Sequence, residues 1–381
     1  MKELRSREDL GALLPSDLWL KIFEDHVSPN DVYPFAMTCR FFRHLVARSR
    51  ESKGTPNSVP LHTYLTKRLS DRGPSPSEEY LRWCCRGEED RDQDPALVQR
   101  RKITVMRLAA RSGYVDLLRW LITQKNIDGW ARDQWISVHA AKGGHLNLIT
   151  WMYTEMFRFT WMTCNGAAEG HLEILKSLRA HNVPWNYGTC RGAAKGGHLD
   201  VLRWARENGA PWNEETSYAA ALGGHRDVLA YAHENGCPFD ECTCENAAKG
   251  GHLEILQWLS DRGCSWNEWT CVSAAGGGHL DVLRWAHANG CPWNSGVCAA
   301  AARRGRLDVL QWARENGCPW DEETCESAAR GGHLSVLTYA TRNECPSDLE
   351  KCLYIARERL GMDAVSAWIQ ETREYLMTLV E

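Results

Sequence analysis

Histidine recurs at one place in a repeated phrase: His145, His171, His198, His225, His252, His279 and His333, with Arg306 in the slot between the last two. The first step is 26 residues and the later ones are 27. Two cysteine columns run alongside. One holds Cys190, Cys244, Cys271, Cys298 and Cys325, the other Cys237, Cys264, Cys291, Cys318 and Cys345. Imidazole and thiolate are the ligands zinc takes, and a thiol can also act as nucleophile or redox group. Spacing argues against both uses. Zinc holds its ligand atoms at about 2.0–2.3 Å, whereas adjacent packed helices lie roughly 8–10 Å apart. A column of equivalent residues therefore cannot share one ion. Neighbours within a cysteine column cannot pair either, because a disulfide needs Cα atoms within about 7 Å. Arg306 in the histidine slot fits no ligand role. The histidines are expected to bridge the turn before a helix by hydrogen bonding, and the cysteines to act as small buried apolar residues. The "CTC" at 242–244 breaks the column pattern and, with Cys84–Cys85, is the remaining metal or redox candidate. No Gly-rich phosphate loop follows a strand, and no Gly-x-Ser-x-Gly elbow is present. The expectation is no catalytic residue, no metal, no cofactor and no enzyme.

The elements that carry these residues can be read from one copy, residues 187–213. "TCRGAAK" (189–195) is a short segment rich in small residues, and alanine favours helix. Gly196–Gly197 stops it, since glycine tolerates the left-handed conformation at a helix end. "LDVLRWAREN" (199–208) is a second helix, with Leu199, Leu202 and Ala205 three apart and Val201 and Trp204 beside them. Asp200 in its first turn suits the positive helix start, and Glu173, Asp227, Glu254, Asp281 and Asp308 fill the equivalent slots. Gly209 and Pro211 end the unit, and "PWNEE" leads into the next. Degenerate copies sit at 108–121 and 354–369. A helix pair this short cannot shelter its own apolar face, but stacked on a neighbour it can. Tryptophans are the expected mortar: Trp204, Trp258, Trp285 and Trp312 on the second helix, Trp185, Trp212, Trp266, Trp293 and Trp320 in the loop. A fully buried aromatic hides about 150–250 Å², an upper bound of roughly 4–6 kcal/mol. The fold class is all-α, a solenoid of stacked helix-turn-helix units.

Composition narrows the partners. Charged residues are 25% of the 381 and the net charge is −4, where a general nucleic-acid binder would be more basic. No apolar run reaches membrane-span length. The opening "MKELRSREDLGALLPSDLW" has no apolar core of signal-peptide length. The sixteen cysteines are then expected as reduced thiols in a cytoplasmic or nuclear protein. No nucleic acid, no membrane and a monomeric state are expected.

The repeated phrase T-C-x-x-A-A-x-G-G-H-L-D-V-L-x-W-A-x-x-N-G-C-P-W-N resembles the ankyrin repeat, with its Ala-Ala, Gly-His, Val-Leu, terminal Gly and final Asn. The resemblance covers roughly 101–370. Ankyrin units usually have about 33 residues. Here about six are missing where that family projects its β-hairpin finger. Short Trp- and Cys-rich units of this kind occur in proteins of algae, other protists and giant DNA viruses. For a viral chain the compartment would be the host cell's.

Residues 12–48 form a different unit. Pro15 stands near a helix start, Leu18, Ile22 and Phe23 keep helical spacing, "SPND" breaks the chain, and "VYPFAMTCRFFRHLV" supplies a further apolar helix. Some forty residues make a poor independent core. The segment resembles an F-box through Leu14, Pro15, Leu18, Ile22, Phe23, Asp31, Cys39, Arg40, Phe42 and Arg43. It departs at His26–Val27 and lacks the Leu-Trp ending. The resemblance implies docking on the Skp-type adaptor of a cullin-RING (SCF-type) ubiquitin ligase through Leu14, Pro15, Leu18, Ile22 and Phe23. The other reading is a helical cap on a scaffold that recruits no ligase. The organisation is then 8–50 F-box-like, 51–100 linker and degenerate first unit, and 101–381 repeat array with a degenerate C-terminal cap.

A target protein would be held by positions that vary while the frame repeats, since these are usually solvent-facing. After the helix-one cysteine slot stand Arg191, Tyr218, Glu245, Val272, Ala299 and Glu326. Further along come Lys195, Leu222, Lys249, Gly276, Arg303 and Arg330. Loop residues Tyr187, Glu215, Cys242, Trp269 and Ser295 vary too. Arg191, Tyr218, Glu245, Trp269, Val272, Arg303 and Glu326 are the target-binding candidates, with Tyr218 and Trp269 as the aromatic anchors.

Overall fold

The molecule, a computed structural model, describes residues 78, 81–82, 95–123, 133–348, 350–352 and 354–355. The chain divides into two compact units, 1–163 and 164–381. The F-box-like segment, with Leu14, Pro15, Leu18, Ile22 and Phe23, lies outside the described residues, as do Cys84, Cys85 and most of the C-terminal cap.

Among the described residues the structure is eighteen α-helices and no strand, arranged as helix-turn-helix pairs. The first pairs are α1 (Pro95–Ser112) with α2 (Val115–Thr123), and α3 (Gln134–Lys142) with α4 (Leu146–Thr154). Then come α5 (Trp161–Ala167) and α6 (Leu172–Ala180), α7 (Tyr187–Gly196) and α8 (Leu199–Glu207), α9 (Glu214–Gly223) and α10 (Arg226–Glu234). The series continues with α11 (Glu241–Gly250) and α12 (Leu253–Ser260), α13 (Glu268–Gly277) and α14 (Leu280–Ala288). It ends with α15 (Ser295–Arg303) and α16 (Leu307–Glu315), α17 (Glu322–Gly331) and α18 (Leu334–Arg342). The all-α class and the stacked helix-turn-helix units are as the repeats indicate. The first copy starts earlier than the 101 boundary: α1 begins at Pro95. Proline suits the first helical position, where its missing N–H would be unpaired anyway.

From α7 on, each first helix begins at the Asn or Asp that closes the preceding phrase. Asn186, Asp240, Asn267, Asn294 and Asp321 take the N-cap in extended backbone, and their side chains accept from the N–H two residues on. Tyr187, Glu215, Cys242, Trp269 and Ser295 are therefore first-turn helical residues, not loop residues. The cap starts the helix two residues before the "TC" that marks it in sequence. Helices α7, α9, α11, α13 and α17 end on a glycine such as Gly197, whose φ of +76° is left-handed backbone that a side chain would strain.

Within 164–348 the first helices α7, α9, α11, α13, α15 and α17 stack directly on one another, while the second helices touch more sparsely. Side-chain size explains the difference. The facing first helices carry Ala193–Ala194, Ala220–Ala221, Ala247–Ala248 and Ala274–Ala275, all fully buried, and small residues let backbones approach closely. The second helices bury a Val-Leu or Ile-Leu pair and an alanine or leucine one turn later: Val201, Leu202 and Ala205 in α8; Ile255, Leu256 and Leu259 in α12.

The tryptophans join neighbouring repeats, as expected of mortar. Trp185 meets Trp204 edge-on at 6.0 Å, Trp266 meets Trp285 at 5.5 Å, and Trp293 meets Trp312 at 5.9 Å. Arginines cover the loop rings, with Arg206 4.0 Å from the centre of Trp212 and Arg314 4.0 Å from that of Trp320. Among these tryptophans only Trp258 is buried; the rest are half-buried, so each contributes less than the full-burial figure.

Candidate functional site

The histidine column is a structural joint. Each of these histidines stands at the N-cap of a second helix, yet its side chain does not cap that helix. Nε2–H instead donates to a backbone carbonyl of the preceding repeat: His225 to Lys195 at 3.2 Å, His252 to Leu222 at 3.1 Å, His279 to Lys249 at 3.1 Å. In the first unit His145 donates to Arg111 at 2.9 Å. The carbonyl can only accept, which fixes the proton on Nε2. The bond runs between repeats rather than across the turn inside one, a correction to the sequence reading. It satisfies a carbonyl near the end of a first helix, one of the four left free there.

The Gly-Gly before all of these histidines but His171, which follows Glu169–Gly170, is explained by the same joint. A Cβ on Gly223 would stand 2.6 Å from the ring of His225, and one on Gly224 only 2.5 Å from the ring of His252 in the next repeat. Each imidazole thus fills the space left by a glycine of its own repeat and one of the repeat before. Arg306 uses the same slot, its guanidinium arm lying against Gly278.

The cysteines are buried, and their two columns meet each other. Cys244 on α11 donates its thiol hydrogen to Cys264 Sγ at 3.2 Å, and Cys264 lies in the loop that closes the same repeat. Cys271 with Cys291, Cys298 with Cys318, and Cys325 with Cys345 occupy the same two slots, helix and closing loop, and influence each other's ionisation. The loop thiols reach the carbonyl of the residue capping their own first helix: Cys264 to Asp240 at 3.1 Å, Cys291 to Asn267, Cys318 to Asn294 and Cys345 to Asp321 at 3.4 Å each. Comparison within a column hides these contacts, because the partners belong to different columns 20 residues apart. Where no partner thiol exists, burial pushes the thiol pKa up to about 12 for Cys190 and Cys164, against a smaller lowering by Arg206 and Arg179.

The two cysteines of "CTC" do not form one site. Cys244 is fully buried against Cys264, while Cys242 is half-exposed beside Tyr218. Among the described residues no three His, Cys, Asp or Glu side chains gather in a way that would hold a metal ion.

Most of the column after the cysteine slot faces the next repeat rather than solvent, which corrects the expectation for these positions. Arg191 pairs with Glu215 at 2.9 Å, although its side chain stays largely exposed. The Tyr218 hydroxyl donates to Asp240 at 2.7 Å and is half-buried, and desolvation with that bond pushes its phenol well above the usual value. Glu245 accepts from Ser273 at 3.1 Å. Val272 lies against the site of Gly296. Glu326 is only 7% exposed and is held by Arg330 at 2.7 Å and Lys351 at 2.5 Å. Ala299 is buried.

Trp269 and Arg303 remain open to solvent, Trp269 at 56%. Tyr187, at 42%, joins Trp269 on the first turn of a first helix within 164–381; in the other unit Trp135 and Trp161 hold the same place on α3 and α5. The exposed large apolar residues therefore concentrate at first-helix starts. Sequence reasoning placed Tyr187 and Trp269 in a loop and missed Trp135 and Trp161; the signal was an aromatic one or two residues after the capping position. No helix among the described residues is long and apolar enough to cross a membrane.

A scan against protein-family models found no match, and a search of curated proteins found none. Among solved structures, the chain is similar to the ankyrin repeat domain of human ASB11, at 18% identity and a TM-score of 0.35, over 47% of this chain and 96% of that one. It is also similar to the pentatricopeptide repeat protein PPR10 from maize, at 15% identity and a TM-score of 0.35, over 95% of this chain and 59% of that one.

Proposed function

We propose that the chain is a protein-binding scaffold that acts as substrate receptor of a cullin-RING ubiquitin ligase. In this reading the repeats hold a target protein at the first-helix starts. The F-box-like segment docks on the Skp-type adaptor through Leu14, Pro15, Leu18, Ile22 and Phe23. The chain performs no chemistry itself and uses no cofactor; it raises the effective concentration of target near the ligase. The observation that carries the target-binding half is the exposed aromatic set on first turns, Tyr187 and Trp269 in one unit and Trp135 and Trp161 in the other. Tyrosine and tryptophan are the side chains that most often anchor interfaces. The adaptor half rests on the Leu-Pro, Ile-Phe and Cys-Arg-x-Phe-Arg thread of residues 14–43.

A pulldown with purified Skp-type adaptor tests the docking half. The full chain is expected to retain adaptor and a Leu14→Ala/Pro15→Ala variant to lose it. Equal retention by both, or none by either, removes the ligase role and leaves the second reading, a scaffold whose N-terminal helices only cap the array.

A further inference from the structure

We propose that Cys244 with Cys264, Cys271 with Cys291, Cys298 with Cys318 and Cys325 with Cys345 are dithiol sites that hydrogen peroxide oxidises to disulfides, each tying a first helix to the loop that closes its own repeat. The sulfurs of the first pair stand 3.2 Å apart. A disulfide bond is about 2.0 Å, so closure needs an approach of roughly 1 Å. The loop thiol makes that approach by giving up its hydrogen bond to a capping carbonyl, while its backbone N–H stays bonded to the second helix it follows.

The two thiols of a pair are not equivalent. The helix cysteines are fully buried, whereas Cys264, Cys345 and Cys291 keep 8%, 5% and 3% exposure; Cys318 is buried like its partner. The loop sulfur also receives the partner's thiol hydrogen bond, which favours its thiolate, while the helix thiol stays protonated. The loop sulfur attacks one peroxide oxygen and the O–O bond breaks, giving a sulfenic acid; the other oxygen leaves as water, taking the thiol proton. The helix sulfur then attacks the sulfenic sulfur. The S–O bond breaks, and the hydroxyl departs as a second water with the helix thiol's proton. Two thiols lose two electrons to one peroxide, and one disulfide and two waters form.

The chain contains its own comparisons. Cys190 occupies the helix slot with Ala210 at its loop slot, and Cys237 occupies the loop slot opposite Ser217, which donates to it at 3.4 Å. Neither has a thiol to pair with in its own repeat.

The test treats the full chain with hydrogen peroxide until Met156, 83% exposed, is converted to sulfoxide. Remaining thiols are then alkylated in denaturant and the peptides mapped by mass. Links are expected between the four named pairs, each with the loss of two hydrogens, and Cys190 is expected alkylated. Cys264→Ser should abolish only the link to Cys244, and Ser217→Cys should add a link to Cys237. Links between different repeats, sulfinic acid on loop cysteines beside free helix thiols, or all eight thiols intact when Met156 is oxidised would each overturn the proposal. Circular dichroism of every variant checks that the array is folded; if Ser217→Cys unfolds, the Cys264→Ser map decides.

Discussion

His139 and the histidine column show how one residue type serves two ends. His225, His252 and His279 each donate a hydrogen bond to a carbonyl of the neighbouring repeat. His139 sits inside α3, and its buried Nδ1 meets no partner among the described residues. Burial first, and then the Arg107, Arg111 and Lys142 cations, hold its pKa down to about 4, against a partial opposing pull from Asp133. The folded value lies below the unfolded one, so the unfolded chain binds the proton more readily. Stability from this site is complete above the usual value of 6.5, falls as pH drops from 6.5 towards 4, and changes no further below that. The loss amounts to at most about 3 kcal/mol. Urea titrations at pH 7 and pH 4.5 should show a smaller acid loss for His139→Gln than for the parent chain. Equal losses in the two would mean that His139 is not held neutral by the fold.

At the scale of the helix, the capping residue does more than punctuate. Asn267 lies in extended backbone and its Oδ1 accepts from Trp269 N at 3.0 Å. It thereby sets where α13 starts and which turn carries the exposed indole. Asn267→Ala removes the side-chain acceptor, and the expected loss is about 1 kcal/mol. Asn267→Asp keeps the acceptor and adds charge at the positive helix end, so it should be neutral or slightly stabilising. Thermal melts of both variants check this; a loss for Asp equal to that for Ala would show that the cap bond is not what matters. Much of this level was legible in the sequence. The left-handed glycine at the helix end, the acid in the first turn of the second helix and the Val-Leu pair all act locally, so a window of ten residues contains their cause. The helix-one start was misplaced by two residues because the same Asn reads equally well as the end of the preceding loop. What no window shows is the partner across a repeat. Cys244 meets Cys264 because the chain returns after a full helix, and Arg191, Tyr218 and Glu245 look solvent-facing until the next repeat is laid on them.

Across 164–348 the joints repeat with little variation, and each connects only neighbours: imidazole to preceding carbonyl, loop tryptophan to the next second helix, Ala-Ala on Ala-Ala. Stability in such an array is close to a sum of repeat terms and nearest-neighbour terms. A defect at one internal joint should therefore divide the array rather than weaken it evenly. Gly224 offers the test. Its φ is +81°, and an added Cβ would stand 2.5 Å from His252 in the next repeat. Gly224→Ala combines backbone strain of about 1–2 kcal/mol with overpacking of about 1–3 kcal/mol at that one joint. The two sides should then unfold at different urea concentrations, and the slope of a single fitted transition should fall along with its midpoint. Gly224→Ala with His252→Ala removes the clash but not the strained backbone, so the double variant should recover the overpacking share over Gly224→Ala alone. A midpoint shift at unchanged slope would instead mean that the stacked helices melt as one body despite the broken joint, and nearest-neighbour coupling would then be stronger than any single joint can sever.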